Sequence, residues 1–321
     1  MKTKTNSNVQ HPFVSVIITV YNGEKYIEQS VKSILEQTYK NFELIVIDDA
    51  STDGTAAKLC VFTDPRIHIS TNETNLGIYL SRNIGIKMAC GQYLFVMDDD
   101  DLALPYRIEK QLFYMSNHPE VGICSSSFRR FGTCANMVVN YPFDYELLKI
   151  HFLGNNYCLH PGLCIRKCFF NGLDSLLYDE QYRYASDYDF VSKNFKNFMI
   201  CNIPEVLMEY RIHKSQITSS KYPEQQFYAD QIRINYLSNI DLFPGDTDQK
   251  IHLSLMKRSS SLEFSMKDYL KWCNKIVHFN TINPFFKDEL LILFLKTKLK
   301  FQAKIQAYNK QLAEEDSSKT K

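Results

Sequence analysis

The sequence predicts an α/β protein, a doubly wound and mostly parallel sheet with a helical C-terminal extension. Three features carry that expectation. Apolar, β-branched runs alternate with stretches of helical spacing through the first half of the chain. Those runs are continuous rather than alternating, as strands covered on both faces are. From Glu224 onward the pattern reads as helices alone.

The elements follow in order. Phe13 to Val20 (FVSVIITV) is the first buried strand, and Ile27, Val31, Ile34 and Leu35 recur behind it at helical spacing. Phe42 to Ile47 (FELIVI) is the second strand. It runs into Asp48-Asp49-Ala50-Ser51-Thr52-Asp53-Gly54-Thr55, rich in turn and cap residues, and a helix is expected over Thr55 to Phe62. Ile67 to Ser70 reads as a third strand. Gly77 to Cys90 reads as a helix with Ile78, Ile84 and Met88 among its apolar positions, stopped by Gly91. Tyr93 to Met97 (YLFVM) is a fourth strand and ends in four consecutive aspartates, after which Pro105 opens another helix. Val121 to Ser125 begins a further strand. Asp144 to Phe152 and Asp187 to Asn197 read as helices, with short strands at His160 to Arg166 and Phe198 to Ile203. A boundary is placed near Ser220, where Thr218-Ser219-Ser220 and Pro223 break the pattern. It divides a catalytic domain, residues 1–220, from a helical region, residues 221–321.

Composition bounds the function. The chain has 321 residues, enough for one large domain and an appendage, and 45% are hydrophobic, so a sizeable core is affordable. The formal net charge of +1 gives no global field, which argues against nucleic acid and leaves any anionic ligand to a local site. Met1 to Gln10 is polar, with no signal-peptide pattern, and the apolar run Leu290 to Leu295 is far short of the roughly 20 residues that span a bilayer. A cytoplasmic location is expected. The nine cysteines form no Cys-x-x-Cys pair and are expected as reduced, mostly buried thiols.

Ligands of doubly wound sheets bind beyond the carboxyl ends of the strands. Tyr21 and Asn22, Asp48 and Asp49, and Asp98 to Asp101 all fall at that edge. The four aspartates are the strongest signal. Charges about 6 Å apart repel by roughly 0.7 kcal/mol in water and about 3 kcal/mol at an effective dielectric near 20. A hard divalent ion, Mn2+ or Mg2+, would offset that cost and is commonly shared with phosphates. The bland alternative is an acidic turn with Asp101 capping the helix that follows. Arg82 offers a fork of donors to phosphate or sits on an amphipathic surface. Asp187 is a general base or a helix cap. His213 is a metal ligand or an ordinary surface histidine.

Taken together, VSVIITVYN (Val14 to Asn22), SILEQTYKNFELIVIDDASTDGT (Ser33 to Thr55), NLGIYLSRNIGI (Asn75 to Ile86), GQYLFVMDDDDLALPYRIEKQ (Gly91 to Gln111), ASDYDF (Ala185 to Phe190) and YRIHKSQITSS (Tyr210 to Ser220) resemble the family 2 glycosyltransferases of bacterial cell-surface glycan type, which have the GT-A fold. The resemblance covers about Pro12 to Thr218. It implies an inverting, metal-dependent transfer of a sugar from a nucleotide-sugar donor, a UDP-sugar, to a glycan or lipid-linked glycan acceptor. Thr19, Tyr21 and Asp49 match positions that hold uracil and ribose, with Asn22 beside them. Asp98-Asp99-Asp100 matches the Asp-x-Asp motif, with Asp99 near the ribose and Asp100 the direct metal ligand. Arg82 falls near the donor diphosphate, His213 completes the metal site, and Asp187 matches the catalytic base. One departure stands out: Ser186 occupies a position where the family usually has Glu, which bears on acceptor contacts.

Two other readings compete. A nucleotidyltransferase would want a basic Gly-rich loop after the first strand, where Tyr21-Asn22-Gly23-Glu24 stands instead. A catalytically inactive nucleotide-sugar-binding partner in a glycan assembly complex would not need Asp100, Asp187 and His213. Near the C-terminus, Lys296, Lys298, Lys300 and Lys304 are interleaved with Leu299, Phe301 and Ile305. That pattern suits peripheral contact with an anionic membrane, or packing on the protein itself or in a homo-oligomer.

Overall fold

The computed structural model describes residues 12–133, 136–214, 216, 221–257 and 263–319, with side chains through residue 311. Met1 to Gln10, Thr218 to Ser220 and the side chains of the tail from Glu314 lie outside the described residues. The chain divides into two compact units. The first holds residues 1–141, 158–180 and 198–216; the second holds 142–157, 181–197 and 217–321.

The first unit is one sheet with helices. Its strands are β1 (Val14–Val20), β2 (Phe42–Asp48), β3 (Ile67–Thr71), β4 (Tyr93–Asp98), β5 (Leu102–Ala103), β6 (Val121–Gly132), β7 (Met137–Val139), β8 (Cys164–Arg166) and β9 (Met199–Ile212). Their order is β3-β2-β1-β4-β8-β6-β9-β5, with β7 on β6. The first four are parallel to one another. β8 runs antiparallel between β4 and β6, and β6 and β9 are parallel. This is the expected architecture, with the sheet mixed beyond β4.

Its helices are α1 (Ile27–Leu35), α2 (Thr55–Leu59), α3 (Ile78–Met88) and α4 (Arg107–Asn117). One face of the sheet, with Val14, Val16, Ile18 and Val20 on β1, packs in a single core with Ile27, Val31 and Ile34 of α1 and Ile108, Leu112 and Met115 of α4. Each of those fully buried side chains contributes roughly 1.5–3 kcal/mol. Ile17, Ile45 and Ile47 lie on the other face, on the strands that α3 contacts.

Several expectations need correction. α2 stops at Leu59, and α3 ends at Met88 with Ala89 already extended, so Gly91 does not terminate it. A Cβ on Gly91 would lie 2.4 Å from the Ser15 amide nitrogen, so glycine serves close backbone approach there. α3 does not bury the apolar stripe read from sequence. Met88 is exposed, whereas Ser81, Arg82 and Asn83 are buried. His160–Gly162 is a 3-10 turn, and only Cys164–Arg166 is strand. Conversely, β6 and β9 extend well past the apolar runs that announced them, because they pair with each other along their length, with register shifts between Ser126 and Phe128.

The second unit is helical: α5 (Tyr145–His151), α6 (Ser186–Ser192), α7 (Tyr222–Asn239), α8 (Asp246–Lys257), α9 (Met266–Ile282) and α10 (Asp288–Lys319). Asp144 caps α5 by accepting from Leu147 N at 2.8 Å, and Ser265 and Asp268 form a capping box on α9. Phe152, Tyr188, Phe195 and Tyr236 make an aromatic core, and the Tyr188 and Tyr236 hydroxyls donate to the Phe152 and Lys149 carbonyls. Leu291, Phe294 and Leu295 of α10 are buried, Lys298 Nζ donates to the Met256 carbonyl, and Gln302 Nε2 donates to the Tyr269 hydroxyl. Leu291, Phe294 and Leu295 are thus packed on protein, while Leu293, Phe301, Lys296, Lys300 and Lys304 are exposed. No helix among the described residues is long and apolar enough to cross a membrane.

This unit carries a built-in acid sensitivity. His252 has no solvent exposure. The indole N–H of Trp272 donates to its Nδ1 at 3.2 Å, so Nε2–H donates to the Leu153 carbonyl at 3.1 Å. Burial pushes the imidazole down to about 3. Its folded value lies below the unfolded one, so its contribution is fully present above about pH 6.5 and declines as the pH falls. One such group should cost about 1.4 kcal/mol of stability between pH 7.5 and 5.5. Trp272 is the chain's one tryptophan, so urea unfolding followed by its fluorescence measures the effect. An unfolding midpoint that stays constant over this range would refute it.

Candidate active site

The strand order changes direction at β1: the chain proceeds to β2 and β3 on one side, then crosses to β4 on the other. Register therefore sets Thr19 beside Asp98 and Val20 beside Asp48 at one edge of the sheet. The residues leaving β1, β2 and β4 meet there.

The loop after β1 is tied to the loop after β2. Asn22 adopts a left-handed φ of 54°. Its Oδ1 accepts from Thr52 N at 2.8 Å, and its own N–H donates to Ser51 Oγ. A Cβ on Gly23 would lie 2.3 Å from Asp99 Oδ2, so glycine lets that carboxyl close in on the loop. Tyr21 is half exposed beside them. Asp49 is buried. Its Oδ1 accepts from Asn72 Nδ2 and Leu76 N, and its Oδ2 accepts from Gly77 N, which fixes the loop leading into α3.

The four aspartates have four different environments. Asp98 Oδ1 accepts from Arg82 Nη2 at 2.7 Å, and the same nitrogen lies 3.3 Å from Thr19 Oγ1. Arg82 has no solvent exposure, and its Nε and Nη1 lack a hydrogen-bond partner. Asp100 Oδ2 lies 2.7 Å from His213 Nε2. Desolvation, then Asp100 and Asp98, raise the Asp99 carboxyl well above the usual range, and the same causes raise Asp101. Arg82 offsets charge at the head of the run by pairing with Asp98. Asp101 does not cap α4, whose N-cap is Tyr106. It is fully buried and its Oδ1 accepts from Arg211 N at 2.8 Å.

The end of β9 brings His213 to this turn, and Arg211 fastens it. Arg211 Nε donates to the Asp100 carbonyl at 2.6 Å and Nη2 to Gln29 Oε1. Its guanidinium sits 4.4 Å from the ring centres of both Tyr26 and Phe131. Ser30 Oγ adds contacts with the Asp98 and Asp101 carbonyls. Sequence reasoning missed Arg211, Tyr26 and Ser30. Arg211 stood two residues from His213, but nothing in the sequence tied it to Asp100.

Among the described residues no three His, Cys, Asp or Glu side chains converge as a complete cation site. The pair Asp100 and His213 nevertheless supplies a carboxylate oxygen and an imidazole nitrogen side by side. Those two donors fit a divalent cation, with the further ligands such an ion needs coming from outside this pair.

Asp187 belongs to the second unit. It lies in the first turn of α6 and is partly exposed, between buried Ser186 and Tyr188. Asn156 Nδ2 donates to its Oδ2 at 3.0 Å. It does not cap the helix, whose N-cap is Ala185. Ser186 is buried and its hydroxyl donates to the Tyr182 carbonyl. The neighbouring acid Asp189 is buried and paired with Lys193 at 3.2 Å.

A mixed sheet with an acidic turn at its switch point is the arrangement of the GT-A fold. The family model for glycosyl transferase family 2 matches residues 15–176, and the chain belongs to that family. It is 32% identical over 279 residues to an uncharacterized glycosyltransferase of Haemophilus influenzae, covering 76% of this chain and 84% of that one. It is 28% identical over 248 residues to the Escherichia coli UDP-Glc:alpha-D-GlcNAc-diphosphoundecaprenol beta-1,3-glucosyltransferase WfgD, covering 70% and 91%. The structure of S. aureus TarS 1-349 in complex with UDP-GlcNAc shares the fold, with a TM-score of 0.61 at 19% identity over 93% of this chain and 91% of that one.

Proposed function

We propose that this glycosyltransferase moves a sugar from a UDP-sugar to a hydroxyl of a lipid-linked glycan in cell-surface polysaccharide synthesis, with inversion at the anomeric carbon. The observation that carries the reading is the meeting of Thr19, Asp98 and the Asp100–His213 pair at the switch point of the sheet. The kinship to WfgD, whose name specifies UDP-Glc and a diphosphoundecaprenol acceptor, supports the donor and acceptor classes.

In this reading Thr19, Tyr21, Asn22, Asp49, Asp98 and Asp99 face the nucleotide of the donor, with Arg82 beside them on Asp98. Asp100 and His213 would hold Mn2+ or Mg2+, which when bound neutralises charge on the departing diphosphate. Asp187 removes the proton of the acceptor hydroxyl as that oxygen attacks, and one displacement inverts the carbon. The rival, a nucleotide-sugar-binding partner without turnover, would keep binding and lose chemistry.

A thermal-shift panel of UDP-glucose, UDP-GlcNAc and GDP-mannose, with and without Mn2+, tests the donor. At a hundredfold excess over Kd a ligand stabilises by about 2.7 kcal/mol. A UDP-sugar should raise the melting temperature, and Mn2+ should increase the effect. No shift with any of the three, with or without metal, would end this reading. UDP release on adding a diphosphate-linked GlcNAc acceptor separates the enzyme from the inactive partner.

A further inference from the structure

Arg82 is an expensive residue. A buried guanidinium with two unpartnered nitrogens costs several kcal/mol unless its surroundings compensate. Its surroundings are specific. The guanidinium carbon lies 5.8 Å from the ring centre of Tyr79 and 5.7 Å from that of Tyr178. Those two rings are 5.4 Å apart and tilted by 32°. His160 stands edge-on to both, and its Nε2 is hydrogen-bonded to the Tyr178 hydroxyl at 2.9 Å. Asn83, next to Arg82 on α3, grips the Tyr178 backbone at both ends: its Nδ2 donates to the Tyr178 carbonyl and its Oδ1 accepts from the Tyr178 N–H. Three separated stretches of the first unit thus close around one cation, and that cation holds Asp98 and Thr19.

We propose that His160 is a positioning residue for nucleotide recognition: it locks Tyr178 and Tyr79 against Arg82, and so holds Arg82 on the Asp98 carboxylate. This rests on the reading that Thr19 and Asp98 face the nucleotide. The role requires an uncharged ring, since a second cation beside Arg82 would be repelled. The surroundings agree, because burial first, and Arg82 second, push the His160 imidazole well below its ordinary range. A histidine used only to fill space would lower stability when replaced, without a change in UDP affinity that follows the charge of the replacement.

The test is calorimetric UDP binding with Mn2+, together with steady-state kinetics, on His160→Gln, His160→Lys, Tyr178→Phe and Asp98→Asn. His160→Gln keeps a neutral hydrogen-bonding group and should stay within about threefold of the parent Kd. His160→Lys should weaken UDP binding and raise the donor KM by about tenfold or more, with kcat changed far less. Tyr178→Phe, which loses only the hydroxyl, should weaken UDP binding by about fivefold. Should His160→Lys unfold, Tyr178→Phe decides alone. Parent-like UDP binding by Tyr178→Phe, or equal losses for His160→Gln and His160→Lys, would overturn the inference. Asp98→Asn separates the two levels: if it too binds UDP like the parent, the nucleotide assignment fails, and the cage has no Asp98 function to support.

Discussion

Asp187→Asn should lower turnover by about 10²–10⁴-fold, the usual contribution of a positioned general base, while UDP binding stays at the parent level. The substitution is nearly isosteric. α6 is anchored by buried Tyr188 and Phe190, so the helix should survive, and an amide oxygen at position 187 can still accept from Asn156 Nδ2. What the amide loses is the capacity to take a proton. The residues assigned to the nucleotide all belong to the other compact unit, so their contacts should be untouched. Asp189 offers no substitute, being buried and paired with Lys193. Initial rates and UDP calorimetry on the same preparation make the measurement. Turnover within threefold of the parent would remove Asp187 from the mechanism.

Asp100→Ala should abolish the Mn2+-dependent part of donor binding. Losing a partner of a metal's ligand costs about 10–100-fold in affinity, so losing the ligand itself should cost at least that much. His213→Ala should act in the same direction. Because Asp100 and His213 already touch at 2.7 Å, the double variant should be little worse than either single one. Charge gives the apo protein no reason to weaken, since Asp100 is the leading repulsive neighbour of both Asp99 and Asp101. The reading is a Mn2+ titration of the UDP-sugar thermal shift. If Asp100→Ala titrates at the parent's metal concentration, the carboxylate is not a ligand.

The four parallel strands were legible because a strand covered on both faces must be apolar throughout, and VSVIITV, FELIVI and YLFVM are. Their polar exits could be assigned to one edge for the same reason, since parallel strands end on the same side. Helix α3 was misread for a physical cause. Its buried face carries Ser81, Arg82 and Asn83, which serve Asn72, Asp98 and Tyr178, so hydrophobic periodicity points the wrong way there. The far halves of β6 and β9 were hard to see because their buried apolar residues, Phe128, Leu207 and Met208, stand among polar ones, and the two strands hold each other along their length. Arg211 and His160 were missed because their partners lie far along the chain: Asp100 is 111 residues from Arg211, and Tyr178 is 18 residues from His160.

The sequence by itself determined the fold class, the family resemblance and the acids gathered at one sheet edge, because strand polarity and burial pattern are local properties of the chain. Only the tertiary structure decided what each aspartate meets. Asp98 faces Arg82, Asp100 faces His213, Asp101 receives the Arg211 amide, and Asp99 keeps close to Gly23. Four identical side chains in a row differ in surroundings only through what folding sets against each of them, and electrostatic energy depends on distances that sequence order does not contain.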